Sequence, residues 1–210
     1  VVVARHRDIK AKLAFYPTGA IAKLRQDYPN CYIYAIARHS TVFLGASPEQ
    51  LVKLDGDQVD TVCLAGSIKR GETPDEDEQL GQQLLTSSKD RHEHDVGVRA
   101  IREALEPLCS ELDVPDSPEL MTVSNVYHLR TPIHGQLANG ATLLQLVERL
   151  HPTPAVGGYP KDAALQFLRE NETFDRGWYA APLGWVDGNG NGEFIVALRS
   201  ALVRSVRAYL

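Results

Sequence analysis

Asp55-Gly56 lies between two runs rich in apolar and β-branched residues, 51–54 and 58–64. That dipeptide is a strong two-residue hairpin signal, because both central positions of such a turn need positive φ. Residues 30–38 and 41–46 read as a second hairpin, rich in β-branched and aromatic residues. Residues 183–186 and 193–203 flank a third turn, Asp187-Gly188-Asn189-Gly190-Asn191-Gly192. Between these hairpins the pattern turns helical. Residues 75–86 and 89–109 predict two helices, the second capped by Ser87 or Ser88, whose hydroxyls can satisfy first-turn N–H groups. Residues 120–127 and 129–137 predict strands. Residues 141–150 and 161–171 predict helices around a Pro/Gly-rich loop. Antiparallel hairpins broken by helix pairs give an α+β class rather than alternating βαβ units. No repeat, low-complexity segment or linker divides the chain, so residues 1–210 read as one domain.

Composition narrows the function classes. A net charge of -5 argues against nucleic-acid binding. No apolar run approaches the length of a membrane span, and no signal peptide is visible. Cys31, Cys63 and Cys109 are odd in number and widely spaced, so they offer no metal-ligand spacing and suggest a reducing, cytoplasmic setting. Their ordinary use is as small buried hydrophobes. The chain opens at Val1-Val2-Val3-Ala4-Arg5, inside a strand pattern without an initiator Met, and ends directly after strand-like residues 194–203. Truncation at both ends is the expectation.

The run His92-Glu93-His94 carries the densest chemistry. Histidines two apart on a helix point about 200° apart and cannot share one ion. Glu93 shares a helical face with Gly97, Ala100, Ile101, Ala104 and Leu108, so it is expected to point inward from an apolar face. A buried carboxylate needs a cation or donor. Glu93 is then either a metal ligand or catalytic carboxylate, or the partner of a core Arg or Lys. His92 and His94 are expected beside that face as supporting or surface groups.

Several segments fall in a telling order. Ser47-Pro48-Glu49 follows the strand-like Thr41-Val42-Phe43-Leu44-Gly45-Ala46. Next come Leu64-Ala65-Gly66-Ser67-Ile68-Lys69-Arg70-Gly71 and Ser88-Lys89-Asp90-Arg91-His92-Glu93-His94-Asp95. Then follow Leu150-His151-Pro152-Thr153-Pro154-Ala155-Val156-Gly157-Gly158-Tyr159-Pro160, Phe174-Asp175-Arg176-Gly177 and Gly192-Glu193-Phe194-Ile195-Val196-Ala197-Leu198-Arg199-Ser200. Taken together, this set resembles the chorismate-utilising enzymes over nearly all of the chain. The Lys-Asp-Arg-His-Glu-His and His-Pro-Thr-Pro runs look most like isochorismate synthase. The resemblance implies large antiparallel sheets packed together with helices outside. It implies Mg2+-dependent isomerisation of chorismate to isochorismate, in which water adds at C2 as the C4 hydroxyl leaves. No organic cofactor and no obligatory protein partner are implied. Salicylate or anthranilate synthesis, or a non-catalytic ligand-binding remnant, are the alternatives.

Carried over residue by residue, the resemblance makes Glu49 the general acid and Glu93 a Mg2+ ligand. Glu49 read from local sequence alone would open a helix, favouring its dipole. Arg199 matches the arginine that grips a substrate carboxylate. On one strand it would share a face with Ile195 and Ala197, or else reach solvent at the strand end. Ala65, Gly66, Ser67 and Gly158 would bring backbone N–H groups close to carboxylates, or serve as ordinary turns. Tyr179 matches a position facing substrate, and His128 one near the substrate ring. Either could instead be a core residue. His151 is assigned to loop structure. The base for water, a lysine, and a second metal carboxylate are expected outside residues 1–210, which would leave this chain inactive alone.

Overall fold

The computed structural model describes residues 1–123, 126–138 and 140–210. Among these, two antiparallel sheets form, and the α+β expectation holds. The five-stranded sheet has the order β1 (Asp8–Lys10), β12 (Arg207–Tyr209), β11 (Ser200–Arg204), β3 (Thr41–Ser47), β2 (Tyr32–Arg38). The larger sheet runs β6 (Cys109–Asp113), β8 (Val126–Leu137), β5 (Gln58–Lys69), β4 (Gln50–Asp55), β10 (Gly192–Val196), β9 (Pro182–Val186). β7 (Glu119–Val123) also pairs with β8.

The hairpin signals are honoured. β4 and β5 pair with Asp55 opposite Gln58 and Gly56 at φ +63°. β2 and β3 pair from Arg38 opposite Thr41. Helix α1 (Pro17–Asp27), which the sequence pattern did not suggest, covers the smaller sheet. There Leu44, Val203 and Ala208 pack with Phe15, Ile21 and Leu24. Helices α2 (Pro74–Thr86) and α3 (Ser88–Leu105) follow β5, each opened by a side-chain cap from Thr73 and Ser87 respectively. α4 (Leu143–Leu150) starts in a Thr142/Gln145 capping box. α5 (Lys161–Asn171) follows the Pro/Gly loop. The main core lies between the larger sheet and α3 and α4. It is built from Leu51, Val52, Val59, Cys63, Ile133, Ile101, Leu105, Leu143, Leu146 and Leu150. Among the described residues, no helix is long and apolar enough to cross a membrane.

Four expectations need correction. The helix predicted to residue 109 ends at Leu105, and Cys109 opens β6. Val1 to Arg5 form no strand; the first strand begins at Asp8. The strands predicted at 120–127 and 129–137 are β7 and the unbroken β8; residues 124 and 125 lie outside the described residues. The strand predicted over 193–203 is two strands in different sheets. The break is local. Leu198 donates its N–H to the Val196 carbonyl at 2.8 Å, and Arg199 sits at φ +50°, so the extended path cannot continue.

The other bridge between the sheets faces this break. β3 ends at Ser47 in the smaller sheet and β4 begins at Gln50 in the larger. Pro48 has no N–H to give a ladder, which suits a bend. The bends are tied together: Ser47 Oγ donates to the Val196 carbonyl at 2.6 Å, and the Val196 N–H donates to the Glu49 carbonyl at 3.0 Å.

Candidate active site at the sheet crossing

Glu49 occupies the bend between β3 and β4, not a helix start. Its side chain is 7% exposed. Thr153, in the loop after α4, donates its hydroxyl to Oε1 at 3.1 Å. Burial is the dominant influence and pushes the Glu49 carboxyl up to about 7, while the Thr153 bond opposes it. A carboxyl with that proton affinity can act as an acid at neutral pH.

Glu49 lines a cavity of about 440 Å3 together with Ala65, Gly66, Glu93, Thr153 and Gly158. Five of the sequence-derived site residues therefore meet there. The wall at Ala65-Gly66 is a β-bulge: Ala65 opposes Leu129 and Ser67 opposes His128, leaving Gly66 extra at φ +80°. Only glycine takes that conformation without strain, and a Cβ would also crowd Asp90 and Leu129 at 3.2 Å. Gly158 is at φ +106° and meets the start of the chain, where a Cβ would come 2.6 Å from Val1 Cα.

The face of α3 is rotated one residue from expectation. His94, Gly97, Ile101 and Leu105 are buried, and Glu93 is not. Glu93 is 55% exposed, 3.8 Å from Lys89 Nζ, and faces the cavity rather than the core. His94, expected at the surface or in support, is 1% exposed. Its Nδ1 lies 3.2 Å from the Ala65 carbonyl, which can only accept, so Nδ1 carries the proton. Nε2 then accepts from Thr131 Oγ1 at 2.7 Å. Burial pulls the His94 pKa down and keeps the ring neutral. One side chain thus binds the helix bearing Glu93 to the bulge forming the wall. The apolar series 94, 97, 101, 105 could have revealed it. Thr153 was also missed; its signal is a threonine held between two prolines.

A second group joins at the same bulge. Ser67 Oγ lies 2.6 Å from His128 Nδ1, and Arg199 Nη2 lies 3.4 Å from His128 Nε2. Arg199 can only donate, so Nε2 accepts and Nδ1–H donates to Ser67. Burial, then the Arg199 charge, lowers the His128 pKa. Arg199 is exposed at the bend, so it does not share a strand face with Ile195 and Ala197 as expected. Tyr179 is half-buried against the main core, with the Arg176 guanidinium 6.0 Å from its ring. Neither Arg199, His128 nor Tyr179 lines the 440 Å3 cavity. His151 serves its loop as expected, its Nε2 bonded to the Ala180 carbonyl at 2.8 Å. A larger groove of about 600 Å3, lined by Tyr32, Lys53, Arg130 and His134, contains none of the sequence-derived site residues. Its volume is therefore less informative than the smaller cavity's chemistry.

Among the described residues, no three His, Cys, Asp or Glu side chains converge as a metal cage. Mg2+ does not need one, since it keeps waters and substrate oxygens and takes one or two carboxylates. The exposed, cavity-facing Glu93 fits that donor set.

The chain matches the model of the family described as chorismate binding enzyme over residues 1–210. It is 53% identical to the salicylate biosynthesis isochorismate synthase of Pseudomonas aeruginosa over 194 residues, 92% of this chain and 41% of that protein. It is 48% identical to isochorismate synthase MenF of Bacillus subtilis over 187 residues, 89% of this chain and 40% of that protein. The solved structure of MenF, the menaquinone-specific isochorismate synthase from Escherichia coli, superposes with a TM-score of 0.92 at 32% identity, covering 99% of this chain and 48% of the other. The chain thus spans about two fifths of the length of these two curated relatives.

Proposed function

Because this chain belongs to the chorismate-binding enzyme family, we propose that it carries the acid-bearing part of an isochorismate synthase, with chorismate in the cavity beside Glu49. Water adds to C2 of the ring, losing a proton to a base, and the C4 hydroxyl leaves as water with a proton from an acid, so the product is an isomer. The leaving hydroxyl needs a proton. Glu49, whose burial raises its pKa to about 7 and so keeps a large share protonated near neutral pH, donates it. Backbone groups at Ala65-Gly66-Ser67 and Gly158 approach the substrate carboxylates closely, because glycine leaves no side chain in the way. Arg199 supplies a guanidinium for a carboxylate, oriented through His128 and Ser67. Glu93 would hold Mg2+, which would supply positive charge for a substrate carboxylate. The three unpaired cysteines suit a reducing, cytoplasmic setting.

A protonatable carboxyl in the wall of a cavity that Glu93 also faces is the observation that carries this reading. Incubation of the full-length protein with chorismate and Mg2+, with the product identified by chromatography, tests it. Isochorismate as the main product supports it. Salicylate as the main product, anthranilate when ammonia is supplied, or no turnover overturns it.

A further inference from the structure

The two carboxyl oxygens of Glu49 have different surroundings. Oε1 accepts from the Thr153 hydroxyl at 3.1 Å, where Thr153 is 9% exposed. Among the described residues no group bonds Oε2, yet no buried side-chain oxygen or nitrogen is left without a partner. Oε2 is therefore the oxygen that reaches the cavity. A neutral carboxyl holds its proton on one oxygen, and its carbonyl oxygen is the better acceptor, so a donor at Oε1 favours the proton on Oε2. The Thr153 hydroxyl has no task in its own turn. That turn is closed by the Thr153 carbonyl, which accepts the N–H groups of Val156 and Gly157 at 3.1 and 3.0 Å.

We infer that Thr153 is a positioning residue for the acid: its hydroxyl holds Oε1 and so keeps the transferable proton on Oε2, facing the cavity. The inference rests on the reading of Glu49 as the acid. Thr153 acts through Glu49 rather than on the reacting atoms. The same bond favours the charged carboxylate, against the burial that disfavours it. Other titratable groups around the cavity are Cys63 on β5, His92 and Glu93 on α3, Tyr159 in the loop, and Val1. None of them lies within hydrogen-bonding distance of Glu49. Loss of the hydroxyl therefore raises the proton affinity of Glu49 and frees the carboxyl to turn.

Thr153→Val keeps the shape and removes the donor, and Thr153→Ser keeps the donor. Glu49 is titrated directly in each by 13C NMR of protein labelled at the glutamate carboxyl, its resonance identified by its loss in Glu49→Gln. The rate constants for chorismate are measured in parallel. The valine variant should move the Glu49 midpoint up by about one pH unit, and kcat should fall about tenfold, the scale of one hydrogen bond to a charged group. KM should change far less. Thr153→Ser should return the midpoint and most of kcat, and Thr153→Ala should agree with the valine variant. An unmoved midpoint in Thr153→Val, or a serine variant that restores nothing, overturns the inference. If the midpoint moves but the wild type makes no isochorismate, the assigned reaction falls and the proton-placing role stands.

Discussion

Glu49 is held where a carboxylate is least comfortable, and that has a thermodynamic signature separate from activity. Its folded midpoint of about 7 lies above the ordinary 4.5. Between these values the folded chain keeps a proton that the unfolded chain has lost. The resulting stability is fully present at low pH and is lost as pH rises through 7. Glu49→Gln mimics the neutral form, so it should exceed wild type in stability by up to about 3 kcal/mol at pH 8 and by little at pH 4.5. Urea unfolding at both pH values checks this, and an equal gap at both would refute the buried neutral acid. The same substitution should lower kcat by about 10²–10⁴-fold, because an amide has no acid proton to give. Glu93→Ala should shift the Mg2+ concentration for half-maximal activity upward, read by titrating Mg2+ in both proteins. An unchanged midpoint would make Glu93 a rim carboxylate and no more. The sequence identified the helix that carries Glu93 but misplaced its phase. Each residue turns the helix by about 100°, and an apolar series starting at 93 differs little from one starting at 94. What separates them is Thr131, far along the chain, which gives His94 its buried partner.

At the level of elements, α3 lies close against β5 because Gly97 has no side chain. A Cβ there would sit 2.6 Å from the buried Cys63 Sγ. Gly97→Ala should therefore destabilise by about 1–3 kcal/mol despite its gain in helix propensity. Cys63→Ala should recover much of that loss, and a double-mutant cycle in urea measures the coupling. Additive effects would mean that the contact is not shared. The hairpins were legible because their turns are written locally, as at Asp55-Gly56. The β10–β11 break was not. Residues 194–203 contain no Gly or Pro to mark a break, and the chain is diverted by bonds to the β3–β4 bend, some 150 residues away. Glu49 and Thr153 meet for the same reason, through a contact that no local pattern could announce.

For the whole molecule, burial depresses the pKa of three histidines, His94, His128 and His151. Below the ordinary value of 6.5 the unfolded chain takes up protons that the folded chain refuses, so stability falls as pH drops through that range. Glu49 opposes this between 4.5 and about 7. The urea midpoint should therefore decline more steeply from pH 6.5 to pH 5 in Glu49→Gln than in wild type; parallel curves would show that the two effects are not both present. The tie between the two sheet crossings also bears on how the protein is born. Ser47 waits for Val196, 149 residues later in the chain. At about 5–20 residues per second, a ribosome needs roughly 7–30 s to deliver it. Until then the bend lacks its partner strand and Glu49 sits in water as an ordinary carboxylate. Its capacity to keep a proton near neutral pH is therefore conferred only when β10 docks, rather than encoded in the residue itself.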